Sequence, residues 1–210
     1  MAESVTNLYS RIRRRADREN DPHIVDAELL QFINASYKEL WDLLVAASSD
    51  YFLSSETYTL TGTTDTRALP SGCYKVRGVD WLNGRYEALP RFTFANRNLT
   101  GRRMYRVVGT NIQFLPLADA AGSYKTWYEP GPTELTAGAD TLNTAVDMWD
   151  EYIVIDCAIK CLAKSQDDVS GFMAEKEAMR QRIMAMASDG RDHGEADRVT
   201  DVSAADGWDF

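Results

Sequence analysis

The sequence predicts an α+β fold. It reads as an antiparallel helical bundle of about four helices with an inserted antiparallel β-rich subdomain and an extended C-terminal tail. Apolar residues recur at helical spacing early and late in the chain. Between these stretches lie short runs rich in β-branched and aromatic residues, punctuated by glycine, proline and asparagine. The end of the chain is polar, acidic and too poor in apolar residues to pack by itself. These changes divide the chain into helices at 1–50, a β-rich insertion at 51–132, helices at 133–188 and an acidic tail at 189–210.

A first helix is expected from about Ser4 to Arg18, where Val5, Leu8, Ile12 and Arg15 form a narrow stripe. Asp21-Pro22 interrupts it. Asp26 reads as the N-cap of a second helix, with Glu28 placed where the helix dipole favours negative charge. Leu29, Leu30, Ile33, Tyr37, Leu40, Trp41, Leu44 and Val45 then keep a 3.6-residue period to about Ser48, giving this helix a broad buried face.

Strands are expected at Thr57–Leu60, Tyr74–Val79, Arg103–Val108, Asn111–Leu115 and Ser123–Glu129. Asn83-Gly84, flanked by Val79–Leu82 and Arg85–Leu89, signals a hairpin because both residues tolerate positive φ. Gly109-Thr110-Asn111 marks a second tight turn. The expectation is a meander of five to seven short strands, or a small barrel. A polar linker, Thr133–Asn143, leads to a third helix from Thr144 to Ser165, with Val146, Trp149, Ile153, Val154, Cys157, Ala158, Cys161 and Leu162 facing the core. A fourth runs from Gly171 to Ser188. In it Glu175, Lys176, Glu177 and Arg180 should face water, while Met173, Met179, Met184 and Met186 read as packing residues, exposed methionines at an adaptable interface being the alternative.

The chain has 210 residues, 44% of them hydrophobic, enough for a real core. No apolar run nears the roughly 18 residues of a membrane span, and the first residues lack the apolar centre of a secretory signal. Three cysteines and two histidines leave disulfide, metal and acid–base chemistry thinly supplied, which fits an intracellular protein that is not an enzyme. The net charge is −9, but it is uneven. Residues 67–106 carry nine basic and two acidic side chains, whereas the tail carries two and seven. An acidic whole argues against a dedicated duplex-DNA binder. The basic middle remains either a solvated surface or a contact for an acidic partner, with Arg102, Arg103 and Arg106 as candidates.

Chemistry-bearing motifs are sparse. Cys157 and Cys161 share a helix face without two further ligands to complete a tetrahedral site, so they read as core. Asp147, Asp150 and Glu151 match the ordinary acidic first turn of a helix better than a catalytic pair. No phosphate-cradling glycine loop or nucleophile elbow occurs, and no cofactor or metal is expected. Arg11, Arg13, Arg14, Arg15 and Arg18 make a basic run with Asp17, Glu19 and Asp21 close by. It reads as a solvated face making ion pairs, or as guanidiniums gripping carboxylates of a neighbouring subunit. Trp208 and Phe210 stand out as large apolar groups in the acidic tail, with Val202 a smaller one.

The order of elements, together with VDAELLQFINASYKELWDLL (25–44), RALPSGCYKVRGVDWL (67–82) and DTLNTAVDMWDEYIVIDCAIKCLAKSQDD (140–168), resembles the head-to-tail adaptor, or connector, proteins of tailed bacteriophages. The likeness covers nearly the whole chain, with Gly72-Cys73 where an Asp commonly follows the Pro-Ser of the turn. It implies a structural, non-enzymatic virion component at the head–tail neck, assembled in the host cytoplasm. Such proteins form a homo-oligomeric ring, usually a dodecamer, under the portal protein. They meet a downstream tail or nozzle protein and let duplex DNA pass through the lumen without specific binding. The resemblance assigns the tail to the portal, and Val202, Trp208 and Phe210, apolar groups isolated in an acidic segment, are the expected anchors. Two other classes stay open: a nucleic-acid-binding module using 67–106, and a small hydrolase with an unrecognised carboxylate site.

Overall fold

The computed structural model describes residues 3–19, 21–48, 50–98, 101–116 and 120–187; Val202, Trp208 and Phe210 lie outside the described residues, as does the rest of the tail. Helices α1 (Val5–Arg15) and α2 (Asp26–Ala47) come first. Seven strands follow: β1 (Ser54–Leu60), β2 (Thr66–Ala68), β3 (Cys73–Leu82), β4 (Tyr86–Ala88), β5 (Met104–Val108), β6 (Asn111–Leu115) and β7 (Gly122–Pro130). A 3₁₀ turn at Thr144–Val146 leads into α3 (Asp150–Lys164) and α4 (Ser170–Ala187). The α+β fold expected from the sequence is therefore present.

Ser4 caps α1 by accepting from the Asn7 backbone N–H, and the helix stops at Ala16, after which Asp17 takes a left-handed φ of 53°. Asp26 is not the cap expected of it. It is the first residue of α2, Val25 holds the cap position, and the Asp26 carboxylate pairs with Arg13 at 2.7 Å. The Thr133–Asn143 segment does more than link. Its carbonyls at Gly138 and Asp140 accept from the backbone N–H groups of Thr6 and Val5, which a helix start would otherwise leave unpaired. Asp140 caps the turn itself by accepting from the Thr136 and Ala137 backbone N–H groups, and these bonds hold its carboxyl below the usual range.

The strands form two antiparallel sheets rather than a meander. One has the order β1-β7-β3-β4 and the other β2-β6-β5. The first and last strands of the insertion pair along their whole length, from Ser54 opposite Tyr128 to Leu60 opposite Gly122. This pairing brings the two chain crossings together at the bundle. The Asn83-Gly84 turn joins β3 to β4, with Gly84 at φ 72°, and Gly109-Thr110 joins β5 to β6.

Apolar burial falls into two clusters. The helical one unites Leu8 and Ile12 of α1, Leu29, Ile33, Leu40 and Trp41 of α2, the inward face of α3, and Ile183 of α4. The other, between the sheets, contains Tyr58, Val79, Tyr105, Ile112, Phe114 and Tyr124. Cys157 and Cys161 are buried in the helical core, and burial pushes their thiols up to about 12 and about 11. They pack as small hydrophobes, as the sequence indicated.

The fourth helix departs from expectation in two ways. Met173, Met184 and Met186 are 58%, 39% and 52% exposed, and of the four methionines only Met179 packs against the core. Lys176, expected in water, reaches inward to Asp156 and Glu39 at 2.8 and 2.9 Å.

Candidate interaction surfaces

The first helix and the turn after it neutralise their arginines internally. Arg11 pairs with Asp150 and Glu151 at the first turn of α3, and with Glu3 at 3.5 Å. Arg13 meets Asp26, Arg14 meets Glu19, Arg15 meets Glu175, and Arg18 meets Asp21 and Asp167. The carboxylates of Asp150 and Glu151 thus serve as tie points between α1 and α3. Arg14 keeps the most freedom, with its side chain 76% exposed.

An acidic cleft of about 550 Å³ lies between α2, α3 and α4, lined by Glu39, Asp42, Asp156, Met173, Lys176 and Arg180. Its deepest carboxylate, Asp156, is 4% exposed. Ser36 donates to it at 2.6 Å, while Lys160 and Lys176 flank it at 2.6 and 2.8 Å. Burial alone would raise the Asp156 carboxyl, but the bonds from Lys160, Lys176 and Ser36 outweigh it and hold the group ionised below the usual range. Tyr152 donates to Glu39 at 2.6 Å. The cleft is a clamp for three helices, its central charges matched by cations. Among the described residues, no cluster of three or more His, Cys, Asp or Glu side chains is placed to hold a metal ion.

The β subdomain treats its cations differently. Of the nine basic residues in 67–106, Arg67 pairs with Glu56 and Arg77 with the buried Glu129. Among the described residues, the other seven form no ion pair with a carboxylate. Several lie on aromatic rings instead. Arg103 stacks 3.6 Å from the Trp81 ring centre, Arg97 sits 4.2 Å from Phe94, and Arg106 lies between Phe92 and Phe94 at 5.2 and 5.7 Å. The segment after β4 fixes this arrangement. Phe92 donates its backbone N–H to the Tyr105 carbonyl, and Tyr105 donates back to the Pro90 carbonyl, so residues 90–92 run alongside β5. Phe94 and Tyr86 remain 65% and 64% exposed.

Residues 4–202 match the family model described as SU10 adaptor protein. The chain belongs to the SU10 adaptor protein family. This is a family of phage head–tail adaptors, so the chain is a bacteriophage adaptor, a structural component that works through contacts with portal and tail proteins. No curated protein matches the chain. No described helix is long and apolar enough to cross a membrane.

In this adaptor the structure gathers Arg102 and Arg103 in one pocket, with Arg106 three residues beyond Arg103, within β5. The five arginines of 11–18 form a separate surface on the bundle. The Trp81 platform under Arg103 escaped sequence reading, since nothing in the spacing of residues 81 and 103 links them. Gly122 was a signal of a kind. A side-chain carbon there would come within 2.8 Å of the Trp81 indole nitrogen, so the indole keeps this place beneath Arg103 with no room for a side chain at that position.

Proposed function

We propose that this adaptor assembles as a homo-oligomeric ring, of twelve copies by the family resemblance, which docks under the portal and joins it to the next tail component. The match to the adaptor family over residues 4–202 carries the reading. Three bodies divide the work. Segments 1–50 and 133–188 form the helical part that stacks on the portal, 51–132 faces the tail side, and 189–210 reaches onto the portal through Val202, Trp208 and Phe210. An acidic tail with isolated aromatic residues suits such wrapping, because ordering it costs entropy that a few buried anchors can offset. The exposed methionines of α4 supply adaptable apolar contact on the portal side. Arg14 is the member of the first-helix run with side chain to spare for a neighbouring subunit, while Arg11, Arg13, Arg15 and Arg18 brace the contact from within. Arg102, Arg103 and Arg106 face an acidic partner on the tail side. A ring of acidic subunits lets duplex DNA slide through without sticking, because like charge repels the phosphates.

The test is reconstitution with a portal, read by native mass spectrometry. The full chain should form a closed ring on the portal, and a chain ending at residue 188 should stay folded but fail to join. Normal attachment by the shortened chain would refute the role given to the tail, and failure of the full chain to form any ring would refute the ring.

A further inference from the structure

The pocket beneath Arg103 has features that ring formation and portal docking do not use. It encloses about 370 Å³ and is lined by Trp81, Glu87, Leu89, Pro90, Arg102 and Arg103, among others. The Arg103 guanidinium carbon lies over the Trp81 ring, 3.6 Å from its centre, and the Nη1 atom is buried with no hydrogen-bond partner. Every arginine of α1 and the following turn found a carboxylate. Here a half-buried guanidinium, already immobilised by stacking, has none among the described residues. Nη1 itself is closed off from the pocket, so a group entering there would meet the rest of the guanidinium, which no carboxylate of the described residues pairs with.

We propose that this pocket is a carboxylate-binding site, which seats an Asp or Glu side chain from an acidic segment of a partner protein. Two cations against one rim carboxylate, Glu87, leave a single net positive charge, which one carboxylate neutralises. Stacking occupies the flat face of the guanidinium and leaves its edge as the donor, the geometry in which arginine grips a carboxylate. The exposed Phe94, Val107 and Val108 lie on the neighbouring segment and on β5. Exposed aromatic and aliphatic groups beside arginine fit a protein contact, because a phosphate backbone needs donors and has no use for valine side chains. The site rests on the reading that Arg102 and Arg103 face an acidic partner, which it deepens, and it does not require that a ring forms.

The experiment uses the full chain and a fluorescent glutamate-rich peptide, with its glutamine counterpart and a short duplex DNA as competitors, read by anisotropy. The glutamate peptide should bind at least tenfold more tightly than the glutamine one. R103Q and R102E should each weaken it by about tenfold, in line with loss of a charge-assisted pair. R102E alters an exposed side chain, so it keeps the test valid if R103Q disturbs folding. K38E, an exposed position on α2 of the helical half, should bind as the unaltered chain does. Equal binding of the two peptides, or unchanged binding by R102E, would overturn the proposal. So would preference for the duplex DNA, which would make the pocket a phosphate site.

Discussion

Asp156 shows how much of the helical body hangs on one side chain. It joins Ser36 of α2, Lys160 of α3 and Lys176 of α4, and it does so almost without water. Replacing it with alanine leaves two lysines facing an emptied, poorly solvated space. The expected loss is about 2–3 kcal/mol, at the low end for a broken buried pair because both lysines keep some exposure. Urea unfolding will measure it. The carboxyl titrates lower in the folded than in the unfolded chain. Its contribution is therefore full above about pH 4 and is lost as pH falls through the depressed folded value. The D156N variant should flatten that part of the acid-unfolding curve. Gly122 makes a second case. It has a φ of 139° and faces the Trp81 indole, so G122A should cost about 1–3 kcal/mol and shift tryptophan emission as the indole moves.

At the scale of elements, α4 is held by few fully buried residues. Only Ile183 and Ala187 are fully buried along its length; Phe172 and Met179 pack partly against the core, and ion pairs from Lys176 to Asp156 and Glu39 and from Glu175 to Arg15 add to the hold. I183A should cost about 2–4 kcal/mol and raise amide exchange in α4 well before α2 or α3 is affected. The same imbalance explains which elements were legible. The second helix announced itself because Leu29, Ile33, Tyr37, Leu40 and Leu44 carry a complete stripe within one stretch of sequence, and all are buried. The fourth had no comparable stripe, and of its four methionines Met179 packs as read while Met173, Met184 and Met186 took the exposed alternative. The turns at Gly84 and Gly109 were legible because their backbone geometry is local. The two-sheet arrangement was not, since it depends on Ser54 finding Tyr128 across the whole insertion. Nor could the partner of Arg11 be read, because Asp150 and Glu151 lie far away along the chain. The Arg103–Trp81 stack was hidden for the same reason.

The whole molecule has two cores and a narrow join. Trp41 of α2 donates its indole N–H to the Pro130 carbonyl at the end of β7, at 3.1 Å, and stacks on Phe52 at a ring separation of 3.5 Å. Tyr74 of β3 bonds to Asp42 beside it, and that neighbouring negative charge raises the Tyr74 hydroxyl pKa. Two separately buried clusters linked so sparingly should give two resolvable transitions in scanning calorimetry, and W41F, which keeps a ring but removes the donor, should separate them further. A single sharp transition in the unaltered chain would show the join to be stronger than its contacts indicate.

The N-terminus of α1 is sealed by the Gly138 and Asp140 carbonyls, residues made only after all of β1–β7. On the ribosome, at about 5–20 residues per second, the first two helices must therefore wait several seconds for the residues that complete their core, while the sheets can close on their own. During that interval Leu29, Ile33, Leu40 and their neighbours are open to chaperones. An insertion or slow codon cluster within 51–132 lengthens this delay without touching the helices.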